Sequence, residues 1–448
     1  MPSAPAEVSV APTPDPSDDT TEALIRRIGW RLMPFLLLMY VLAFLDRTNV
    51  GFAKDGFQQS TGITDAAYAF GASVFFFGYA LLEVPSNILL VRFGARIWLA
   101  RIMFLWGLVS AATFLVTGEV GFYVLRAALG VAEAGFFPGV IFYLTRFYPQ
   151  RYRARAMGLF YLGAPLSFIV GGPFSGLLLD LDGVAGLHGW QWLFLIEGLL
   201  ASAVGVVAFF YLSNAPEDAR WLSDEERRLH ARLMAADPGG HAGSGHGAGA
   251  LRRALLSPGV LYLAAIYALI QMSVYGLVFF LPSQMAVIAG TRIGPLVGVL
   301  FAIPWIAALA GTWIAPAVAD RTARHRAIAG GLLAMAGAGL IGSVVSGSPA
   351  VSMAGLCLAA TGFIAAQPIF WSLAAARIEP AAAAASIALV NSVGALGAFA
   401  APNLRVLAEQ QFALEGAGLY LLALFAFAGA ALLAGLRAPV ERSAAGPG

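Results

Sequence analysis

An all-α integral membrane fold, with twelve transmembrane helices in two pseudo-symmetric bundles of six, is predicted by three observations. First, 59% of the 448 residues are apolar and only 12% are charged, where soluble domains carry about a quarter charged residues. No single aqueous core hides that much apolar surface, so the solvent of this chain is the lipid bilayer. A cytosolic enzyme, a secreted domain and a nucleic-acid binder are excluded. Second, apolar runs able to cross ~30 Å at 1.5 Å per residue recur along the chain. They lie near 32–52, 66–90, 97–117, 121–145, 156–179 and 190–212, then near 258–282, 294–318, 328–346, 350–375, 383–406 and 416–436. Third, punctuation repeats at one offset. Arg92 and Arg321 are 229 apart, Pro138 and Pro368 are 230 apart, and Pro173 and Pro402 are 229 apart. Duplicated six-helix halves are a transporter signature, with the substrate site between them near the midplane.

The elements follow in order. Residues 1–31 form an N-terminal tail whose first 20 residues, rich in Pro, Ser and Asp, read as disordered. They lack the basic and apolar regions of a signal peptide. The first bundle occupies 32–212, a linker 213–257, the second bundle 258–436 and a C-terminal tail 437–448. An even span number puts both tails and the linker on one side. The arginines decide which side. Arg26, Arg27 and Arg31, the set from Arg92 to Arg101, the set from Arg146 to Arg155 and the linker arginines all fall together. The opposite segments hold only Lys54, Arg292 and Arg405. The tails and linker are therefore expected in the cytoplasm, and the protein in the inner or plasma membrane. In the linker, Ser223 with Glu226 three residues on forms a capping box, predicting a short amphipathic helix to about Met234. The Gly-rich stretch behind it predicts a flexible connection. His241 and His246 there lack further ligands at metal spacing, and the single cysteine, Cys357, has no partner. No cofactor, metal or catalytic constellation is predicted.

A charge at the bilayer centre costs roughly 2.5–3.5 kcal/mol on insertion scales, so intramembrane charges mark function. Inside the spans these are Asp46, Arg47, Glu83, Arg126, Glu133 and Glu197, all in the first half. The second half offers neutral groups: Tyr267, Gln271, Tyr275, Gln367, Ser372 and Asn391. At 1.5 Å per residue, Asp46 lies ~21 Å from the inner face, Arg126 ~8 Å from the outer face and Glu133 ~18 Å from it. The four groups of spans 1 and 4 can therefore meet, with Arg126 and Glu133 on one helix face.

The motifs then show a likeness. FLDRTNVGFA in span 1, EVPSNILLVRFGAR after span 2, RAALGVAEAGFFPG in span 4 and ALVNSVGALGAF in span 11 resemble the major facilitator superfamily, and within it the anion:cation symporter family. WLFLIEGL, APEDARWLSDEE and VYGLVFFLPS fit as well. The resemblance implies the major facilitator fold and alternating-access symport of a small organic anion with protons. Sugar acids, hydroxy-carboxylates or aromatic carboxylates are the implied class. It also marks Arg92, Arg96, Asp320 and Arg321 as gate motifs. Val91 departs from the pattern, standing where the superfamily has an acid that Asp320 keeps in the second half.

Roles follow from chemistry. An anion needs a permanent cation with a planar fork, which points to Arg47 first and Arg126 second. Asp46, beside Arg47, and Glu133, sharing a face with Arg126, are the expected proton carriers. Tyr79, Gln271, Tyr275, Ser372 and Asn391 are expected to bind substrate hydroxyls. Tyr275 and Gly276 hold in span 7 the places of Asp46 and Arg47 at the 229-residue offset. Phe363, Phe370 and Trp371 could instead stack an aromatic acid. Glu83 reads as a gate or loop partner and Glu197 as a packing carboxyl. Two rivals stand beside symport. One is a proton-driven exporter, because Gly171, Gly172, Pro173 and Gly176 partly match an antiporter motif. The other is a non-transporting sensor, disfavoured by a linker without a signalling domain. A monomer is expected.

Overall fold

A computed structural model describes residues 18–236, 257–378, 383–412 and 414–436. The Gly-rich linker stretch with its two histidines, the first 17 residues and the C-terminal tail lie outside the described residues. Twelve helical stretches are long and apolar enough to cross a membrane.

In the first half these are α1 (Asp18–Thr61), α2 (Asp65–Phe93), α3 (Ala95–Ala112), α4 with α5 (Glu119–Glu133, Phe136–Phe147), α6 with α7 (Gln150–Tyr161, Gly163–Leu179) and α8 (Gly189–Tyr211). The linker contributes α9 (Asp224–Ala235). The second half has α10 with α11 (Pro258–Val278, Leu281–Ala289), α12 (Pro295–Thr322), α13 (His325–Val345), α14 (Pro349–Ala375), α15 (Ala383–Gln411) and α16 (Ala417–Gly435). Helix is what lipid demands, since every backbone group must be satisfied within its own segment. Phe77, Val170, Trp313 and Leu424 point outward, as lipid-facing side chains do. The first helix begins at Asp18, well before the apolar run, so 18–31 is ordered helix rather than loose tail. Leu24 and Ile28 are buried on it.

The capping box at Ser223 forms as the sequence predicts, with Ser223 and Glu226 each bonding the other's backbone. Helix α9 docks under the first half. His230 is buried against the Phe147 carbonyl at 3.1 Å. Arg27 donates to Glu226 at 2.6 Å and to the Trp221 carbonyl at 2.8 Å.

Between the halves, α7 packs on α12 and α2 on α15, the symmetric pairing that a duplicated bundle produces. At the end away from the linker this seam is tight. A Cβ on Gly298 would stand 2.2 Å from the Gly172 carbonyl oxygen, and one on Gly176 2.7 Å from the Gly294 oxygen. Only glycine lets these backbones meet. Phe52 stacks edge-on against Phe301 at 4.9 Å, and Tyr68 donates its hydroxyl to the Val50 carbonyl at 2.8 Å with the Phe279 carbonyl at 3.5 Å. Gly298→Leu is expected to pry this end apart. Thiol labelling of a cysteine placed at Phe301, which is buried in this seam, in a Cys357→Ser background, should then speed up several-fold. An unchanged labelling rate would mean that the glycine contact does not hold the far end shut.

Candidate functional site

Two helix breaks build the interior. Helix α4 stops at Glu133, Gly135 takes φ +85°, and α5 starts at Phe136. A side chain at Gly135 would meet the Ser86 hydroxyl at 2.4 Å and would strain the left-handed backbone. The break sets the Glu133 carboxylate at a helix C-terminus, where the dipole disfavours negative charge. The compensation comes from α1: Arg47 Nη2 forms an ion pair with Glu133 Oε1. Arg47 Nη1 also donates to the Tyr275 hydroxyl of the second half at 3.5 Å. The guanidinium lies over Phe44, Phe75 and Tyr79, with centroids at 4.8, 5.3 and 5.4 Å.

Arg47 is thus placed at the seam, its side chain 13% exposed while that of Glu133 is 1%. Its Nε has no partner. The structure pairs the charges differently from the sequence reading. Asp46 does not pair with its neighbour Arg47. It receives the amide of Asn49 at 2.8 Å and the hydroxyl of Ser110 on its Oδ1. Glu133 does not pair with Arg126, although they share α4. Arg126 is buried, touches the Ala72 carbonyl at 3.4 Å and makes no ion pair among the described residues. Adjacent residues on a helix point about 100° apart, so Asp46 turns away from Arg47 and finds Asn49 one turn on and Ser110 on α3.

The neutral candidates divide. Tyr79 and Tyr275 meet Arg47 directly. Gln271, one turn before Tyr275 on α10, has a buried Oε1 without a donor. Asn391 is occupied, donating to both oxygens of Glu83 across the seam at 3.1 and 3.4 Å. Ser372 is exposed, and no contact joins it to Arg47. Towards the linker end, Tyr267 stacks on Phe370 at 5.3 Å and meets Trp371 at 4.9 Å. Opposite, Tyr40 stacks on Phe160 at 4.3 Å, and Tyr161 meets Phe137 at 5.3 Å while remaining 48% exposed.

The gate motifs sit apart, at the linker end. Arg92 lines a cavity of about 330 Å³ with Arg146, Asn214 and Asp218. Arg96 donates its backbone N–H to Asn214 at 3.0 Å and lays its side chain over Phe209 at 4.9 Å. Asp320 meets His325 at 2.8 Å, and Arg321 is exposed.

The second half is not free of buried charge. Arg405 is only 1% exposed and fully inside α15, which runs on to Gln411 rather than ending near 406. Helix α10 breaks at Phe279–Phe280 ahead of Pro282. The Phe280 N–H turns to the Leu277 carbonyl, leaving Gly276 without its helical donor. Arg405 Nη1 fills that place at 2.9 Å, with its Nε on Glu409 at 3.1 Å and Phe280 beneath it at 4.3 Å. The run Glu409-Gln410-Gln411 reads as a span end, which hid Arg405 from the sequence reading. Arg405→Leu leaves that carbonyl unsatisfied. It should lower stability by ~1–3 kcal/mol, visible as a fall in thermal unfolding temperature. An unchanged unfolding temperature would show that water or a neighbour replaces the cap.

Two six-helix bundles meeting on a charged seam are the architecture of a membrane transporter. Residues 36–402 match the Major Facilitator Superfamily model, and the chain belongs to that superfamily, in its anion:cation symporter type. It is 46% identical to the inner membrane transport protein RhmT of Escherichia coli over 93% of this chain and 96% of that one. It is 38% identical to a quinolone resistance transporter of Acinetobacter baumannii, covering 95% and 97%. A putative tartrate transporter of Agrobacterium vitis is 39% identical, covering 87% and 85%. The fold also matches the crystal structure of a bacterial homolog of the human lysosomal transporter Spinster. The TM-score is 0.73 at 17% identity, covering 93% of this chain and 97% of that one.

Proposed function

We propose that this transporter takes up a small hydroxylated organic anion together with protons, by alternating access, with its termini and linker in the cytoplasm. The observation that carries this reading is Arg47. It is a permanent cation at the seam of the two halves, partly accessible, held by one carboxylate and one tyrosine from opposite halves. A substrate carboxylate takes the fork of Arg47. Tyr275 and Tyr79 flank it. Gln271 lies ~6 Å further along α10, one helical turn, and its free acceptor meets a substrate hydroxyl. The rings of Tyr267 and Trp371 cover the apolar face of the same molecule. Asp46 and Glu133 carry the coupling protons, and Arg126 holds the local charge balance. A relative named for tartrate transport supports a hydroxylated acid as the substrate.

Counterflow and pH-driven uptake of labelled L-tartrate and of aldonic acids in proteoliposomes test the reading. Saturable uptake driven by an inward proton gradient is expected. The rival is proton-driven export, favoured by the relative named for quinolone resistance. Fluoroquinolone movement against a proton gradient with no organic-acid uptake would establish that rival instead.

The arginine distribution also supports this sidedness. Cysteines at Glu225 and Asp182, in the Cys357→Ser background, should label from opposite faces of the membrane. Labelling of both from one face would overturn the proposed topology.

A further inference from the structure

Within the first half lies a buried polar cluster of which the roles above use only Asp46. Asp46 and Asn49 come from α1, Ser110 from α3, Ser175 from α7 and Glu197 from α8, and all five are at most 3% exposed. The Asn49 amide nitrogen donates to Asp46 Oδ1 at 2.8 Å, and the Ser175 hydroxyl donates to Glu197 Oε1 at 2.7 Å. The Asn49 side chain is also within hydrogen-bonding reach of Glu197. Three acceptors here have no donor: Asp46 Oδ2, Asn49 Oδ1 and Glu197 Oε2. Buried acceptors left unpaired are rare and ask for a cause. No arginine relieves Glu197. It faces Ser175, Asn49 and the like charge of Asp46. Arg47 and Arg126 act on Asp46, and Glu133 is taken by Arg47.

We propose that Glu197 and Asp46 hold a single proton between them, with Asn49 as the coupler that admits only one ionised carboxylate at a time. An amide has one donating end and one accepting end. With its NH2 turned to the Asp46 carboxylate, its oxygen is satisfied by an O–H on Glu197 Oε2, and two of the three orphaned acceptors disappear, leaving only Asp46 Oδ2. In the converse state the acid is Asp46, which donates to the amide oxygen, and the NH2 turns to the Glu197 carboxylate. With both ionised, the amide oxygen faces a carboxylate. With both protonated, two O–H groups compete for one oxygen. No proton passes through the amide. It leaves one carboxyl as H⁺ and arrives at the other, Asn49 turns half a revolution about χ2, and the serine hydroxyls rotate to follow. Glu197 thereby becomes a proton store behind Asp46. That link to coupling rests on the role proposed for Asp46; the shared proton itself does not.

Infrared difference spectroscopy on the purified, substrate-free, full-length protein tests this without any transported molecule, so its outcome is independent of the substrate reading. At neutral pH the parent should show a buried carboxylic-acid C=O band that Glu197→Gln removes. In Asn49→Leu the same band should move to higher frequency, and its alkaline titration should split from one step into two. A band untouched by Glu197→Gln would show Glu197 ionised and overturn the proposal. An identical band and titration in Asn49→Leu would show two independent carboxyls and overturn it equally. Ser175→Ala keeps the carboxyl and removes one donor. It should raise the band frequency of Glu197, and no shift would place the proton elsewhere even if the Gln variant fails to fold.

Discussion

Arg47→Gln is expected to abolish organic-anion binding while the protein still inserts and stays monodisperse. A charge-assisted hydrogen bond is worth roughly twice a neutral one, and truncating one partner of a buried charged pair costs about 2–5 kcal/mol. That corresponds to a loss of binding of ~30-fold or more at 1.4 kcal/mol per decade. Arg47→Lys keeps the charge and loses the fork. It also loses the stacking of the guanidinium over Phe44, Phe75 and Tyr79. Binding should fall by about tenfold or more, because lysine acts as a point charge. Arg126→Gln should leave binding closer to the parent in this conformation, since Arg126 is 1% exposed and Arg47 is not closed off. The check is a thermal-shift or calorimetric titration with L-tartrate and aldonic acids. Parent-like binding by Arg47→Gln would move the recognition site elsewhere and make Arg126 the next residue to test.

Glu133→Gln should separate exchange from accumulation. The carboxylate of Glu133 and an arriving substrate carboxylate compete for one guanidinium. When the substrate wins, Glu133 is left buried, at a helix C-terminus and without a counter-charge. A carboxyl in that position takes a proton rather than remain charged. Substrate and proton are therefore expected to bind cooperatively, and linkage makes the effect reciprocal. If two protons accompany one monovalent anion, the net charge of +1 gains about 2.3 kcal/mol per 100 mV of membrane potential. Glutamine at 133 copies the protonated state. Counterflow should persist, affinity should rise because the internal competitor is gone, and accumulation driven by a pH gradient should vanish. Asp46→Asn should behave alike or lose transport. Undiminished pH-driven accumulation by both variants in proteoliposomes would show that neither carboxyl carries the coupling proton.

The sequence alone determined the solvent, the number of spans and most of the charges that lie inside them. Lipid cannot satisfy a backbone, so each crossing must be a long apolar helix, and hydropathy reads that directly. Charges inside such helices are costly enough to stand out singly, which is why Asp46, Arg47, Arg126 and Glu133 were visible without a structure. What each charge touches was not legible. Partnership is set by how helices pack and where they break. Gly135 ends α4 so that Glu133 reaches Arg47, not the Arg126 on its own helix. Phe280 and Pro282 interrupt span 7 and free the carbonyl that Arg405 caps from α15. The sequence places Arg405 at a span end because polar neighbours follow it. Only the continuing helix brings it inside. The network of Asn49, Ser110 and Ser175 around Glu197 was least visible of all. Neutral polar residues carry little insertion cost, so nothing in the sequence sets them apart. Their weight appears only once α1, α3, α7 and α8 close around them and exclude the water that would otherwise satisfy their bonds.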